Sequence, residues 1–291
     1  MLTGFLLAIA AGFGWGSMGV AAQVMMTDGG FTAQALVVLR VFGAGVLLTL
    51  MTLLTERGRV SKLFSDMVLL RDVVIYGLGV LATQFTFFLA IRDAGAATAA
   101  IMVITGPLFV IGWTRKPVSI LELAAFCLAA TGVVLIITKG DLSVVNFSYS
   151  GVLWGLASAA CGAFCTLQPG NAVKKLGVNA VVGFGMLFAG IGALFVYPPT
   201  EIDAVWTWET LAGYLYIIVV GTALAFVCYL KSLDYVPPAV TTILGASEPL
   251  TAVILSVVLL GTSFTPVESL GAVLIFATVF ILAMREGRRR T

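Results

Sequence analysis

Histidine is absent from the 291-residue sequence, and only 10% of its residues carry charge. Without histidine the usual proton shuttle and the Ser-His-Asp type of nucleophilic catalysis are both excluded. Ordinary soluble domains are about 25% charged. A chain this poor in charge could not coat a water-exposed surface, which excludes a soluble enzyme and a disordered or fibrous protein. Cysteine is scarce too: Cys127, Cys161, Cys165 and Cys228 all lie inside apolar stretches. No spacing among them suggests a metal site or an extramembrane disulfide, and they read as small buried hydrophobes. The 16 basic and 14 acidic residues leave a net charge of +2, which is no footprint for a nucleic-acid partner.

What is present is apolar. The AVILMFWYC residues make up 60% of the chain, with 32 glycines and a mean hydropathy of +1.10. Glycine is commoner in membrane helices than in soluble ones. A span takes about 20 apolar residues, so ten spans use roughly 200 and leave about 90 for loops and tails. Hydropathy and turn residues divide the chain into ten such segments: Leu2–Gln23, Thr32–Leu54, Val73–Ile91, Ala96–Trp113, Val118–Thr138, Gly151–Pro169, Asn179–Tyr197, Thr210–Leu230, Pro238–Leu260 and Val267–Met284. Asp28-Gly29-Gly30, Lys116-Pro117, Lys139-Gly140-Asp141, Pro198-Pro199 and Pro237-Pro238 punctuate them. The first segment has no basic leader and keeps bulky residues to its end, so it reads as a retained helix rather than a cleaved signal.

Basic residues set the expected orientation. With the N-terminus in the cytoplasm, the inner loops and tail hold Arg57, Arg59, Lys62, Arg71, Arg115, Lys116, Lys174, Lys175, Lys231, Arg285, Arg288, Arg289 and Arg290. The outer loops hold only Arg92 and Lys139. That is a strong positive-inside bias. The seventh-to-eighth loop carries Glu201, Asp203 and Glu209 with no base, and Trp206 and Trp208 there read as interfacial anchors. Ten helices with both termini inside is the expected topology.

The chain also repeats. Gly4–Gln23 aligns with Gly151–Gly170, and Phe88–Leu108 with Tyr229–Leu250 allowing one inserted residue. Thr105-Gly106-Pro107-Leu108 then faces Ser247-Glu248-Pro249-Leu250. Leu121-Glu122-Leu123-Ala124 faces Val267-Glu268-Ser269-Leu270, each just after a proline (Pro117, Pro266). The offsets are nearly constant. Five helices is an odd number, so the second copy enters the membrane inverted, an architecture of secondary transporters with the site near the midplane. The expected organisation is a first repeat over 1–138, an outer linker over 139–150, a second repeat over 151–284 and a basic tail over 285–291.

Candidate site residues are polar or aromatic groups at helical spacing. In the sixth segment Trp154, Ser158, Cys161, Cys165 and Gln168 share one face. This is either a cavity face or a packing surface of small residues. The eighth segment repeats the idea with Tyr214, Thr222, Ala225 and Tyr229. The third offers Tyr76, Thr83 and Phe87, with Gln84 turned aside. Tyr76 and Tyr214, near helix ends, fit an interfacial belt equally well.

Glu248 lies ten residues into the ninth segment, about 15 Å along the axis. A carboxyl at that depth marks function by default, whether it takes up a proton or meets a substrate amine; the alternative is a carboxyl tying two helices together. Arg40, in the second segment, could bind a substrate carboxylate or pair with Glu248. A structural role, with its stem snorkelling to the surface, is the expectation. Glu122 and Glu268 sit in first turns and read as helix caps. Gly12 and Gly16 suggest close helix packing, and Trp15 between them a cavity wall.

These features together resemble the drug/metabolite transporter superfamily, EamA type. The likeness rests on Trp15-Gly16-Ser17, Arg40, Pro107-Leu108, Glu248-Pro249-Leu250 and the Gly271 region, set in ten helices across the whole chain. Within that superfamily the sequence is similar to the YddG-type exporters of aromatic and other amino acids. The resemblance implies a carrier of the bacterial inner membrane that moves metabolites outward by alternating access through a central cavity, with no cofactor and no enzymatic activity. Many members carry a Gly-Glu pair after the fourth and ninth helices. Here those positions read Trp113-Thr114-Arg115 and Gly261-Thr262, which leaves Glu248 as the acidic residue for any proton coupling.

On this reading the substrate contacts are Trp15, Ser17, Gln84, Trp154, Ser158, Gln168, Tyr229, Thr241 and Glu248, with Pro107 and Pro249 as bending points. The cargo is expected to be an amino acid or similar metabolite, with protons a candidate co-substrate. Phosphorylated cargo fits poorly, because only one base lies within a span. Drug-like solutes remain an alternative. A lipid-acting enzyme lacks a nucleophile–base pair.

Overall fold

The computed structural model describes residues 2–115, 119–145, 148–198, 204–261, 263 and 265–288, the side chains of 97, 260 and 283–288 excepted. Lys116-Pro117, Pro199, Glu201, Asp203, Thr262 and tail residues 289–291 lie outside the described residues.

Among the described residues fourteen α-helical pieces follow one another: α1 (Leu2–Gly29), α2 (Ala33–Thr55), α3 (Arg57–Ser65), α4 (Met67–Val103), α5 (Gly106–Thr114), α6 (Ile120–Thr138), α7 (Tyr149–Leu167), α8 (Gly170–Leu176), α9 (Val178–Val196), α10 (Trp208–Ile218), α11 (Ala225–Ser232), α12 (Pro238–Leu244), α13 (Ser247–Leu260) and α14 (Pro266–Arg288). A π-helical turn, Val219–Leu224, joins α10 to α11. No strand occurs among the described residues. Eight stretches are long and apolar enough to cross a bilayer, and two shorter apolar helices, Thr98–Thr114 and Pro266–Leu282, complete ten segments. All-helical spans follow from the solvent, because hydrocarbon offers no partner to a free N–H or C=O.

The helices pack in the pattern that two inverted halves require. α2 lies on α9 and α6 on α14, pairings that map onto themselves when the halves exchange. α4 against α7 is matched by α11 against α1, and α5 against α7 by α13 against α1. At the α6–α14 crossing Gly132 and Gly271 meet face to face. A Cβ on Gly132 would fall 2.7 Å from the Gly271 carbonyl oxygen, and one on Gly271 2.6 Å from that of Gly132. Gly12 and Gly16 likewise bring α1 onto the backbone of α13 at Glu248. Close approach of small residues replaces the hydrophobic drive that lipid cannot supply.

The fourth and ninth spans are both broken at their centres. α4 turns at Ile104-Thr105 just before Pro107, and α12 at Gly245-Ala246 just before Pro249. Proline has no N–H to continue the ladder. Tighter bonds cover the break, Leu108 N–H to Thr105 O and Glu248 N–H to Gly245 O, each 2.9 Å. The third and fourth spans run into one another through Gly95, whose φ of +84° only glycine adopts readily.

Three features depart from expectation. α1 runs on to Gly29 and α4 begins at Met67, both beyond the apolar segments. α3 was not anticipated: its charges hide it from a hydropathy scan, yet Leu63 is wholly buried in the core beside Leu176 and Ala180. The π turn is the third. It lets Thr222 Oγ1 reach the Ile217 carbonyl five residues back, at 2.9 Å.

The loops sort to two ends. At one end Lys62 reaches the Lys175 carbonyl (3.4 Å) and Gln168 the Asp72 carbonyl (3.0 Å). At the other Thr32 meets Tyr197 (3.2 Å), Val205 N–H bonds Gly29 O (2.9 Å) and Lys139 pairs with Glu268 (3.2 Å). Glu122 and Glu268 do cap their helices, in reciprocal bonds with Ser119 and Thr265.

Candidate functional site

A cavity of ≈ 480 Å³ lies between the two halves. Both broken spans reach it: Ile104, Gly106 and Pro107 on one side, Gly245, Ala246, Glu248 and Pro249 on the other. Unwinding at these points exposes backbone where it lines a cavity, the one setting in which irregular backbone is tolerated at membrane depth.

One wall is aromatic. Trp15 lies edge-on to Phe226 and tilted against Tyr229, with ring centroids 5.3 Å apart in each case. The Tyr229 hydroxyl is tied to Thr166 Oγ1 at 2.9 Å. The π turn sets Phe226 and Tyr229 facing α1, and Gly14 and Gly221 let the two helices close. Phe87, Met18 and Phe126 extend the apolar lining.

Most hydroxyls around the cavity already donate to backbone. Thr83 Oγ1 bonds Gly79 O (2.9 Å), Ser158 Oγ bonds Thr83 O (3.0 Å) and Thr242 Oγ1 bonds Pro238 O (3.0 Å). Among the described residues, no side-chain hydrogen bond is made by Gln84, Glu248 or Arg40, and all three line the cavity. The Glu248 side chain opens into the cavity. Arg40 is 8% exposed, and its Nη1 is buried without a hydrogen-bond partner. Neither charge belongs to an ion pair among the described residues.

Of the residues expected from sequence, Trp15, Gln84, Ser158, Tyr229, Glu248, Pro107 and Pro249 lie in this lining. Four do not. Ser17 is buried between helices, accepting from Tyr216 at 2.8 Å. Thr241 is fully buried against Ser232 Oγ at 3.2 Å. Gln168 turns to the Asp72 carbonyl in the first turns of α4, and Trp154 sits outward near Asp93. The α7 stripe from Trp154 to Gln168 is about 21 Å long. It outruns the cavity, which takes only its middle at Ser158 and Cys165.

Tyr76 is no belt residue, since it is 1% exposed and packs beside Gly185 with its edge on the cavity. Arg40 joins the lining rather than snorkelling. Phe126, Phe226 and Thr242 went unforeseen, and no periodic signal marked them. All four cysteines are free, and among the described residues no group of His, Cys, Asp or Glu could hold a metal.

Comparison with known proteins agrees with this fold. Residues 149–284 match the EamA-like transporter family. An uncharacterized inner membrane transporter, YicL of Salmonella typhimurium, is 31% identical over 294 residues, covering 98% of this chain and 97% of that one. The threonine/homoserine exporter RhtA of Escherichia coli K12 is 25% identical over 217 residues, 74% of this chain and 72% of its own. A crystal structure of another protein superposes over 100% of both chains with a TM-score of 0.78 at 15% identity, which establishes the fold. A ten-segment helical membrane protein of two inverted halves around one central cavity, with these relatives, belongs to the EamA-like transporter family of the drug/metabolite transporter superfamily.

Proposed function

We propose that the chain exports amino acids, neutral ones including aromatic side chains, across the bacterial inner membrane by alternating access. The observation that carries this reading is the central cavity, where an aromatic wall (Trp15, Phe226, Tyr229) meets a carboxyl and a guanidinium on opposite broken or apolar spans. Indole and phenol rings stack on a substrate ring or cover an aliphatic side chain. The likeness to a protein named a threonine/homoserine exporter supports the substrate class.

In this reading both termini face the cytoplasm. Residues 1–138 and 151–284 rock against one another about Pro107 and Pro249, joined by an outer linker at 139–150 and followed by a basic tail at 285–291. Glu248 is the candidate site for a coupled proton. A second reading, export of drug-like or other small metabolites, is favoured by the apolar lining at Met18, Phe87 and Phe126.

Transport into proteoliposomes with a panel of labelled amino acids decides between them. Accumulation of at least one, blocked by its own unlabelled form, is the expected result. A folded preparation that moves none of them overturns the proposal.

A further inference from the structure

Arg40 is a buried charge without an ion-pair partner among the described residues, and the function proposed above assigns its guanidinium no specific contact. It lies in α2, which contributes no other residue to the cavity lining. Its side chain is more than nine-tenths buried, and its Nη1 has no acceptor. A buried charge without a partner is strongly disfavoured in a membrane unless a ligand or water supplies the missing bonds. Glu248 is the natural protein partner, because both residues line one cavity. Still, the two do not join in an ion pair. Both groups line one cavity without pairing, an arrangement that suits a molecule carrying both charges.

We infer that Arg40 and Glu248 form a clamp for a zwitterion, with the guanidinium of Arg40 receiving the substrate carboxylate and Glu248 its ammonium. This rests on the amino-acid reading and names how the backbone end of the substrate is recognised. Guanidinium suits the task because its planar fork can donate two parallel bonds to one carboxylate. The surrounding hydroxyls suit it less, since Thr83, Ser158 and Thr242 already donate to backbone carbonyls. Selection is then for the α-amino and α-carboxyl groups together. The aromatic wall reads the side chain only loosely, so several neutral amino acids pass. Amines without a carboxylate, and acids without an amine, leave one of the two charges unpaired and are rejected.

The test is competition in wild-type proteoliposomes. Counterflow of labelled L-threonine and L-phenylalanine is measured against three unlabelled competitors of each: the amino acid, its methyl ester and its N-acetyl derivative. The amino acid is expected to compete at least tenfold better than either derivative. Equal competition by the ester overturns the role of Arg40 and leaves the amino-acid reading standing. Liposomes that move neither amino acid overturn both.

Arg40→Gln adds a second readout. It should erase the preference for amino acid over ester, and Arg40→Lys should keep part of it. A merely structural role would lower transport of everything without changing that ratio, so a folded Arg40→Gln protein that retains the preference also overturns the inference. Should Arg40→Gln not fold, the wild-type competition alone decides.

Discussion

At the scale of single residues, depth in the membrane carries the information. Glu248 stands out in the sequence because a carboxylate ten residues into an apolar segment has a high cost, and it opens into the cavity. Its removal gives a direct test of coupling. In Glu248→Gln the acceleration of transport by a pH gradient should vanish, because an amide carries no proton between the two sides. Measured in proteoliposomes with and without an imposed gradient, unchanged acceleration would remove Glu248 from the coupling role.

Arg40 was equally visible as a charge, but its place in the cavity lining was not. A long side chain on a helix can point along the membrane normal or across it, and only the neighbours decide. Ser17 and Thr241 lie outside the cavity lining for a related reason. Small hydroxyls satisfy themselves locally or across a helix contact, and a sequence does not show which helix arrives.

At the scale of elements, the ten apolar segments were legible and their ends were not. Polar extensions carry α1 and α4 past the hydrocarbon limits, α4 with Asp66 as its cap, and the surface helix α3 has too much charge to register as apolar. The paired breaks were foreshadowed by Pro107 and Pro249, since a missing N–H acts on the backbone whatever the tertiary context.

The crossing of α6 and α14 depends on Gly132 and Gly271, whose Cβ positions are filled by each other's carbonyls. Gly132→Leu should lower the thermal unfolding midpoint in detergent. The cost is about 1–3 kcal/mol, the usual range for an overpacked contact. Gly112→Ala, where nothing lies within 4 Å, should leave the midpoint unchanged or raise it slightly. Equal midpoints in all three proteins would show that the crossing has room the geometry denies.

At the scale of the whole molecule, the basic residues and the packing agree on two opposite ends. Lys62 and Lys175 meet at one, while Lys139 pairs with Glu268 at the other. Single cysteines at Gly58 and Val144 in a cysteine-free background should therefore react differently with an impermeant maleimide added outside spheroplasts. Val144→Cys is expected to label at once and Gly58→Cys only after lysis. The reverse pattern would invert the orientation without disturbing the fold.

Sequence alone determined that this is a helical membrane protein built from two related halves. Apolar length, charge placement and proline act locally, and the bilayer converts them into spans with little help from neighbours. The cavity was decided by tertiary structure. Which stripe faces inward, how far down it the opening extends, and whether Arg40 finds a partner depend on the meeting of α1, α4, α7, α11 and α13. These helices are distant in sequence, and their contacts follow from close packing at glycines and broken spans rather than from the periodicity of any one segment.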